Sequence, residues 1–208
     1  MKNFPVKVDG KEYWISRSVA TVGFVFKLVG NTIYTLIEKR GKGAADNVGS
    51  YCVPCGYIDY DETGEECIVR EIFEETGFKC KQGKIQMVSV NTDPRKDDRQ
   101  NISIHYIYKA EENELYNRLV ANGGEVDEID EVDWLPTASI DKFSVKILED
   151  NFKDKKWAFN HDSLIKNYIK NCYENQEKKR KIILMMKSLK HFVKQIEKLK
   201  WKEMVEDG

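Results

Sequence analysis

The 208-residue chain has no apolar run that approaches a membrane span. A bilayer crossing needs about 20 consecutive apolar residues, so no membrane partner is expected. Its N-terminus, Met1-Lys-Asn-Phe-Pro5, lacks the apolar core of a secretory signal. A soluble, cytoplasmic protein is the expectation. Cysteine is too sparse for a disulfide framework: there are five, an odd number, and they are scattered. One pair, Cys52-Val-Pro-Cys55, has C-x-x-C spacing. A zinc site would need a second pair, and Cys67, Cys80 and Cys172 do not supply one. Internal repeats at solenoid periods and long low-complexity runs are missing too.

Apolar residues make up 41% of the chain and aromatics 11%. That fills the core of one globular domain, and the length leaves room for an addition. Net charge is −1, unevenly spread. Residues 151–208 hold 15 Lys and Arg against 8 Asp and Glu, a net of +7, which leaves −8 for residues 1–150. An acidic first part therefore carries a basic tail. The expected domains are 1–150, with an N-terminal hairpin lead, and 151–208, a basic amphipathic helical extension.

Along the first part, Lys7 to Ser18 has a hairpin pattern with Asp9-Gly10 as its turn. Strands are predicted over Thr21 to Lys27 and Thr32 to Glu38, joined by Gly30-Asn31. Further strands are predicted over Tyr51 to Pro54, Ile85 to Asn91 and Ile102 to Lys109. Helices are predicted over Glu114 to Ala121 and Ser139 to Asp150. An acidic loop, Glu125 to Asp133, runs into a short strand at Trp134. Strands first, one helix in the middle and helices late suit a mixed sheet covered by helices on both faces.

One stretch carries the chemistry. Thr63 is a candidate N-cap, and Glu66 three residues on completes a capping box. Gly77 suits the left-handed position past the helix end. Ile68, Val69, Ile72 and Phe73 share one side of that helix, while Glu71, Glu74 and Glu75 share another. Three crowded carboxylates repel one another. A solvated acidic face is the bland reading. A site for a hard dication, which takes oxygen ligands and neutralises the cluster, is the sharper one.

The surrounding pattern favours the second. Gly56-x5-Glu62-x7-Arg70-Glu71-Ile72-x-Glu74-Glu75-x-Gly77-Phe78 resembles the Nudix box at every fixed position. By that resemblance the chain is identified as a member of the Nudix hydrolase family. The resemblance implies an α/β fold, an α/β/α sandwich on a mixed sheet, here with a C-terminal helical extension. It implies that Glu74 and Glu75 are metal ligands and that Glu71 is a ligand or the base that activates water. The backbone carbonyl of Cys55 is implied as a further ligand. The ion implied is Mg²⁺, with Mn²⁺ as an alternative. Arg70 is suited to hold a neighbouring carboxylate. Glu62 is expected to fix the loop before the helix, and Gly56 to give it backbone freedom. The chain departs from the usual pattern in having Cys55-Gly56 for Gly-Gly, and Asp59 and Asp61 for Glu and Gly.

Family members often place one more acid in a loop ahead of a Trp-containing strand. Glu128 is the best match, with Glu125, Asp127 and Glu131 as competitors. Arg17, Lys39, Arg40 and Arg95 are candidate substrate cations, set against ordinary surface charge. Trp14 and Tyr106 are candidates for base stacking, set against core packing. His105 alternates with apolar strand residues and is expected to be packed.

The reaction implied is metal-dependent hydrolysis of a diphosphate linkage in a nucleoside diphosphate derivative. ADP-ribose or a sugar nucleotide is preferred; Pro94 stands 16 residues past Phe78, a spacing found in some ADP-ribose-cleaving members, set against the proline that a turn-rich loop carries anyway. Nucleoside triphosphates and 5′-phosphorylated RNA ends are alternatives. The rival class is a non-catalytic ligand sensor with a tail that binds nucleic acid. The intact acidic helix argues against it. In the tail, Leu164, Ile165, Tyr168, Ile169 and Cys172 have helical spacing, and Ile182, Met185, Leu189, Phe192, Ile196 and Leu199 step as a short heptad stripe. A stripe that wide suits docking on protein better than binding nucleic acid. The partner surface is the same chain or a second subunit, so a homodimer stays open.

Overall fold

The computed structural model describes residues 3–96, 99–111, 114, 119–121, 127–141, 144–172 and 174. The heptad stripe, His191 and Glu125 lie outside them, as do residues 115–118 of the helix expected over 114–121.

The hairpin lead is present as β1 (Phe4–Val8) and β2 (Lys11–Ile15), a two-stranded sheet of its own. Asp9 and Gly10 both have positive φ, 47° and 80°, as a two-residue turn matched to strand twist requires. Trp14 on β2 is 67% exposed, so core packing does not account for it.

The main sheet contains β3 (Val19–Val29), β4 (Thr32–Arg40), β5 (Tyr51–Cys52), β6 (Cys55–Tyr57), β7 (Gln86–Asn91), β8 (Ile102–Lys109), β9 (Ile129–Ile140) and β10 (Val145–Ile147). Its order is β10-β9-β4-β3-β8-β7, with β5 added to β4 and β6 to β3. The β3–β8 pair is parallel and the others are antiparallel. This is the mixed sheet expected.

Helix α1 (Gly64–Thr76) packs on one face. Its Ile68 and Ile72 join Val25, Leu36, Phe78, Tyr106 and Tyr108 in one buried cluster. Each such aliphatic side chain contributes about 1.5–3 kcal/mol by leaving water. Trp134 on β9 meets Phe78 edge-on, with centroids 5.6 Å apart, which ties β9 to the end of the helix. Strand parity sends Phe24, next to Val25, to the opposite face. There it meets His161, centroids 6.3 Å apart. The stretch 150–165 covers that face: the short α2 (Asp150–Lys153) is followed by Lys156 and Ala158, which exchange backbone hydrogen bonds with Tyr51. His161 Nδ1 accepts from the Val53 N–H at 3.2 Å.

The predicted helix over 139–150 is corrected. The chain continues as β9 to Ile140, returns as β10, and turns helical only at Asp150. Asp141 accepts from the Ser144 N–H and hydroxyl, making a side-chain turn in place of a helix start. Val145 and Ile147 are β-branched and pair with Ile140 and Ala138. The predicted strand over 51–54 is extended only at Tyr51–Cys52, on β4, and the chain then crosses to β3 as β6 from Cys55. The compact unit runs from Met1 to Lys166, sixteen residues past the expected boundary at 150; Asn167–Gly208 form a second unit. Residues 161–172 are helical.

Candidate active site

Local sequence builds α1 as the capping residues predict. Thr63 is extended and its hydroxyl accepts from the Glu66 N–H; the Glu66 carboxylate accepts from the Thr63 N–H at 2.8 Å. Gly77 ends the helix with φ 71°. Asp61, where the family pattern has glycine, also has positive φ, 69°. Aspartate is among the few side chains that accept this conformation, so the turn survives the substitution.

Arg70 organises the acidic face. Its guanidinium donates to Glu62 through Nη2 at 2.6 Å and Nε at 3.1 Å, to Glu71 Oε1 at 2.8 Å and to Glu74 Oε2 at 3.0 Å. It also donates to the Tyr57 carbonyl at 3.3 Å. Glu62 in turn accepts from the Asp59 N–H at 2.8 Å, which pins the loop before the helix. The Arg70 fork and this backbone bond hold Glu62 at about 2, well below the usual carboxylate range.

Glu71 faces the box loop closely enough that a Cβ built on Gly56 would lie 2.0 Å from its Oε1. Only glycine leaves room for that carboxylate. Glu75 is buried, and its Oε2 accepts from the Cys55 N–H at 2.9 Å. Burial pushes both acids above the usual range, Glu75 by far the more, with neighbouring Glu38 adding repulsion to Glu75.

Glu38 is a member of this cluster that sequence reasoning passed over. It stands on β4, 1% exposed. It pairs across the ladder with Cys52, whose thiol donates to Glu38 Oε1 at 3.2 Å. Its Oε2 is buried without a partner, and its pKa is raised by burial. Parity with Leu36, a core residue beneath α1, was the available signal.

Among the loop acids, Glu128 precedes β9 directly. Its carbonyl accepts from the Gly41 N–H at 2.6 Å, and that of Asp127 from the Gly43 N–H at 2.8 Å. Its carboxylate adds repulsion to both Glu38 and Glu71. Glu131 is occupied elsewhere, paired with Lys39 at 2.8 Å and with the Tyr51 hydroxyl at 3.3 Å.

The candidate cations separate by what they already hold. Arg17 donates to the carbonyls of Thr92 and Asn101, both at 2.8 Å, and to that of Gln100. It fastens the 92–101 loop. Arg95 pairs with Asp93 in its own turn. Arg40 is buried, donating to the Asp46 carbonyl at 3.0 Å and stacked under Phe159. Arg99, not singled out from sequence, is ion-paired to Asp46 at 2.6 Å and donates to the Tyr57 hydroxyl at 3.2 Å. Tyr106 is buried. His105 is packed as expected, and burial holds it down at about 4.

The donor set fits a hard dication in chemistry: clustered carboxylates, a buried oxygen without a partner, and repulsion that a cation would relieve. Among the described residues, no three His, Cys, Asp or Glu are gathered as around an ion. Arg70 takes up Glu71 and Glu74, and Glu75 is turned to the Cys55 amide.

Residues 19–159 match the NUDIX domain. The ADP-ribose pyrophosphatase of Methanocaldococcus jannaschii is 29% identical over 170 residues, 79% of this chain and 81% of that protein. The fold is similar to that of the NUDIX domain of Shewanella oneidensis NrtR complexed with ADP ribose (TM-score 0.58, 17% identity, 76% of this chain and 90% of that one). It is also similar to a MutT/nudix family protein from Enterococcus faecalis (TM-score 0.57, 19% identity, 74% of this chain). The chain spans 61% of the length of the Enterococcus protein.

Proposed function

The chain belongs to the Nudix family, with the box complete and the domain matched from residue 19 to 159, and from that premise we propose that it hydrolyses the diphosphate of ADP-ribose or a close nucleoside diphosphate relative. The observation that carries this reading is the arrangement on α1. Glu71, Glu74 and Glu75 share a face with one arginine bracing two of them, and Glu38 and Glu128 approach from β4 and the loop before β9. The similarity to an ADP-ribose pyrophosphatase over most of both chains supports the substrate class.

Glu71, Glu74, Glu75 and the Cys55 carbonyl would hold the cation, Mg²⁺ or Mn²⁺. Bound there, it supplies charge neutralisation for the diphosphate and acidifies water. Burial raises Glu71 above its ordinary value, a direction that makes a carboxylate a better proton acceptor. Arg70 fixes its carboxylate and keeps it from swinging away. Glu128, whose charge acts on both Glu38 and Glu71, is the loop acid that takes a proton from water or orients it. The chain thus adds water across the P–O–P bond, giving two phosphate monoesters.

A panel of ADP-ribose, a sugar nucleotide, a nucleoside triphosphate and 5′-triphosphorylated RNA, each with Mg²⁺ and with Mn²⁺, tests this. AMP and ribose 5-phosphate from ADP-ribose are the expected products. Turnover confined to the triphosphate or the RNA would reject the substrate class. Tight binding of ADP-ribose without turnover would favour a sensing module.

A further inference from the structure

Glu38 has no place in the box, yet it is the most completely buried carboxylate beside it. Its side chain is 1% exposed. Taking a carboxylate out of water is unfavourable unless it is paired, and buried polar atoms are almost always satisfied. Glu38 meets neither condition. Oε1 has the weak Cys52 thiol donor at 3.2 Å, and Oε2 has no hydrogen-bond donor. The nearest cation on its own strand, Arg40, is committed to Asp46.

What Glu38 does face is another carboxyl. It lies within hydrogen-bonding reach of Glu75, which has its own Oε2 tied to the Cys55 amide at 2.9 Å. Glu128 adds its charge to Glu38 as well. Carboxyl oxygens turned toward one another form an arrangement that a cation completes. A strand position that served only the core would be filled at lower cost by leucine or glutamine.

Resting on the divalent-metal reading above, we propose that Glu38 is a positioning residue of the cation site: its buried carboxyl group lies against Glu75 and adds charge behind it, which draws a cation to the Glu75 side of the pair. Outer groups of this kind typically set metal affinity by about 10- to 100-fold. They do so at the expense of the metal-free fold, which must bury the charge uncompensated.

The test is a Mn²⁺ titration of the full chain followed by electron paramagnetic resonance of the free ion, with thermal melts in chelator and in Mn²⁺. The parent, Glu38→Gln, Glu38→Leu and Glu75→Gln are compared. Glu38→Gln is expected to weaken Mn²⁺ binding by about 10-fold or more, and Glu38→Leu at least as much. In chelator both variants should melt at or above the parent temperature, while the rise on adding Mn²⁺ shrinks. A purely structural carboxyl would give the opposite pattern, a lower melting temperature with unchanged affinity. Parental affinity in a folded Glu38→Gln or Glu38→Leu protein overturns the proposal, as does loss of the fold in both. No Mn²⁺ binding by the parent would overturn the metal reading along with it. Binding by the parent that Glu75→Gln loses and Glu38→Gln keeps would sink the Glu38 role alone.

Discussion

Arg70 makes the clearest case that side-chain chemistry, more than helix propensity, dictates this site. One planar fork reaches Glu62, Glu71 and Glu74 at 2.6 to 3.1 Å, and a lysine point charge could not bond all three. Gly56 serves the same carboxylate from the other side. A methyl there would sit 2.0 Å from Glu71 Oε1, so Gly56→Ala must move Glu71. That variant is expected to lose about 10²-fold in kcat, the scale of removing one positioned charge, while its circular dichroism stays parental. Glu75→Gln is expected to lose at least as much. Parental kcat from Gly56→Ala would mean that Glu71 works from another rotamer.

At the scale of elements, the fold separates acids that lie close together in the chain. Asp127, Glu128 and Glu131 all lie within one acidic run. The β4–β9 register pairs Lys39 with Glu131 and leaves that acid in a salt bridge away from Glu71. Glu128 instead enters the electrostatic field of Glu71 and Glu38. Glu128→Gln is therefore expected to lower kcat about 10²-fold or more, and Glu131→Gln to leave it within about twofold, since an exposed pair contributes ~1 kcal/mol or less. A silent Glu128→Gln beside a damaged Glu131→Gln would reverse the assignment. The loop's placement has its own support. A Cβ on Gly41 would meet the Asp127 carbonyl at 2.2 Å, so Gly41→Ala should lower kcat by displacing Glu128, with α1 and its cap unaffected.

At the scale of the molecule, the two faces of the sheet answer pH with opposite signs. On the α1 face, Glu38 and Glu75 are raised by burial, so in chelator their protonation stabilises the fold as pH falls toward ordinary carboxylate values. On the other face, His161 is held neutral, down to about 3, by burial and by nearby His105 and Arg40. The unfolded chain binds that proton first, so this contribution is present above about pH 6.5 and is lost as pH falls toward 3. Glu62, lowered to about 2, loses its contribution only below about 4.5. The difference between parent and His161→Gln isolates the histidine, since glutamine can still accept from the Val53 N–H. The parent should be the more stable at pH 7, and the gap should narrow between pH 6.5 and 4.5. A gap in melting temperature that is constant over that range would show that the imidazole does not titrate there.

The capping box, the left-handed Gly77, the Glu71, Glu74 and Glu75 face and the β3, β4, β7 and β8 strands were all legible in the chain. They depend on contacts within a few residues, where spacing fixes geometry. Sequence went astray over 139–150 because Asp141 and Ser144 offer a turn that local helical spacing does not register, and the pairing of β10 with β9 is decided by the sheet. It put Glu128 first by family pattern without a physical ground against Glu131, and it could not see that Arg17 serves the 92–101 loop while Arg99 reaches Tyr57. Nor did it give Glu38 a role, because a single acid in an apolar strand has no meaning until the register of β4 and the docking of α1 set it against Glu75. Local spacing is enough to set the helix and its charges, whereas which distant charges meet them depends on the folded chain, because partners far apart in the chain are brought together only by strand register and packing.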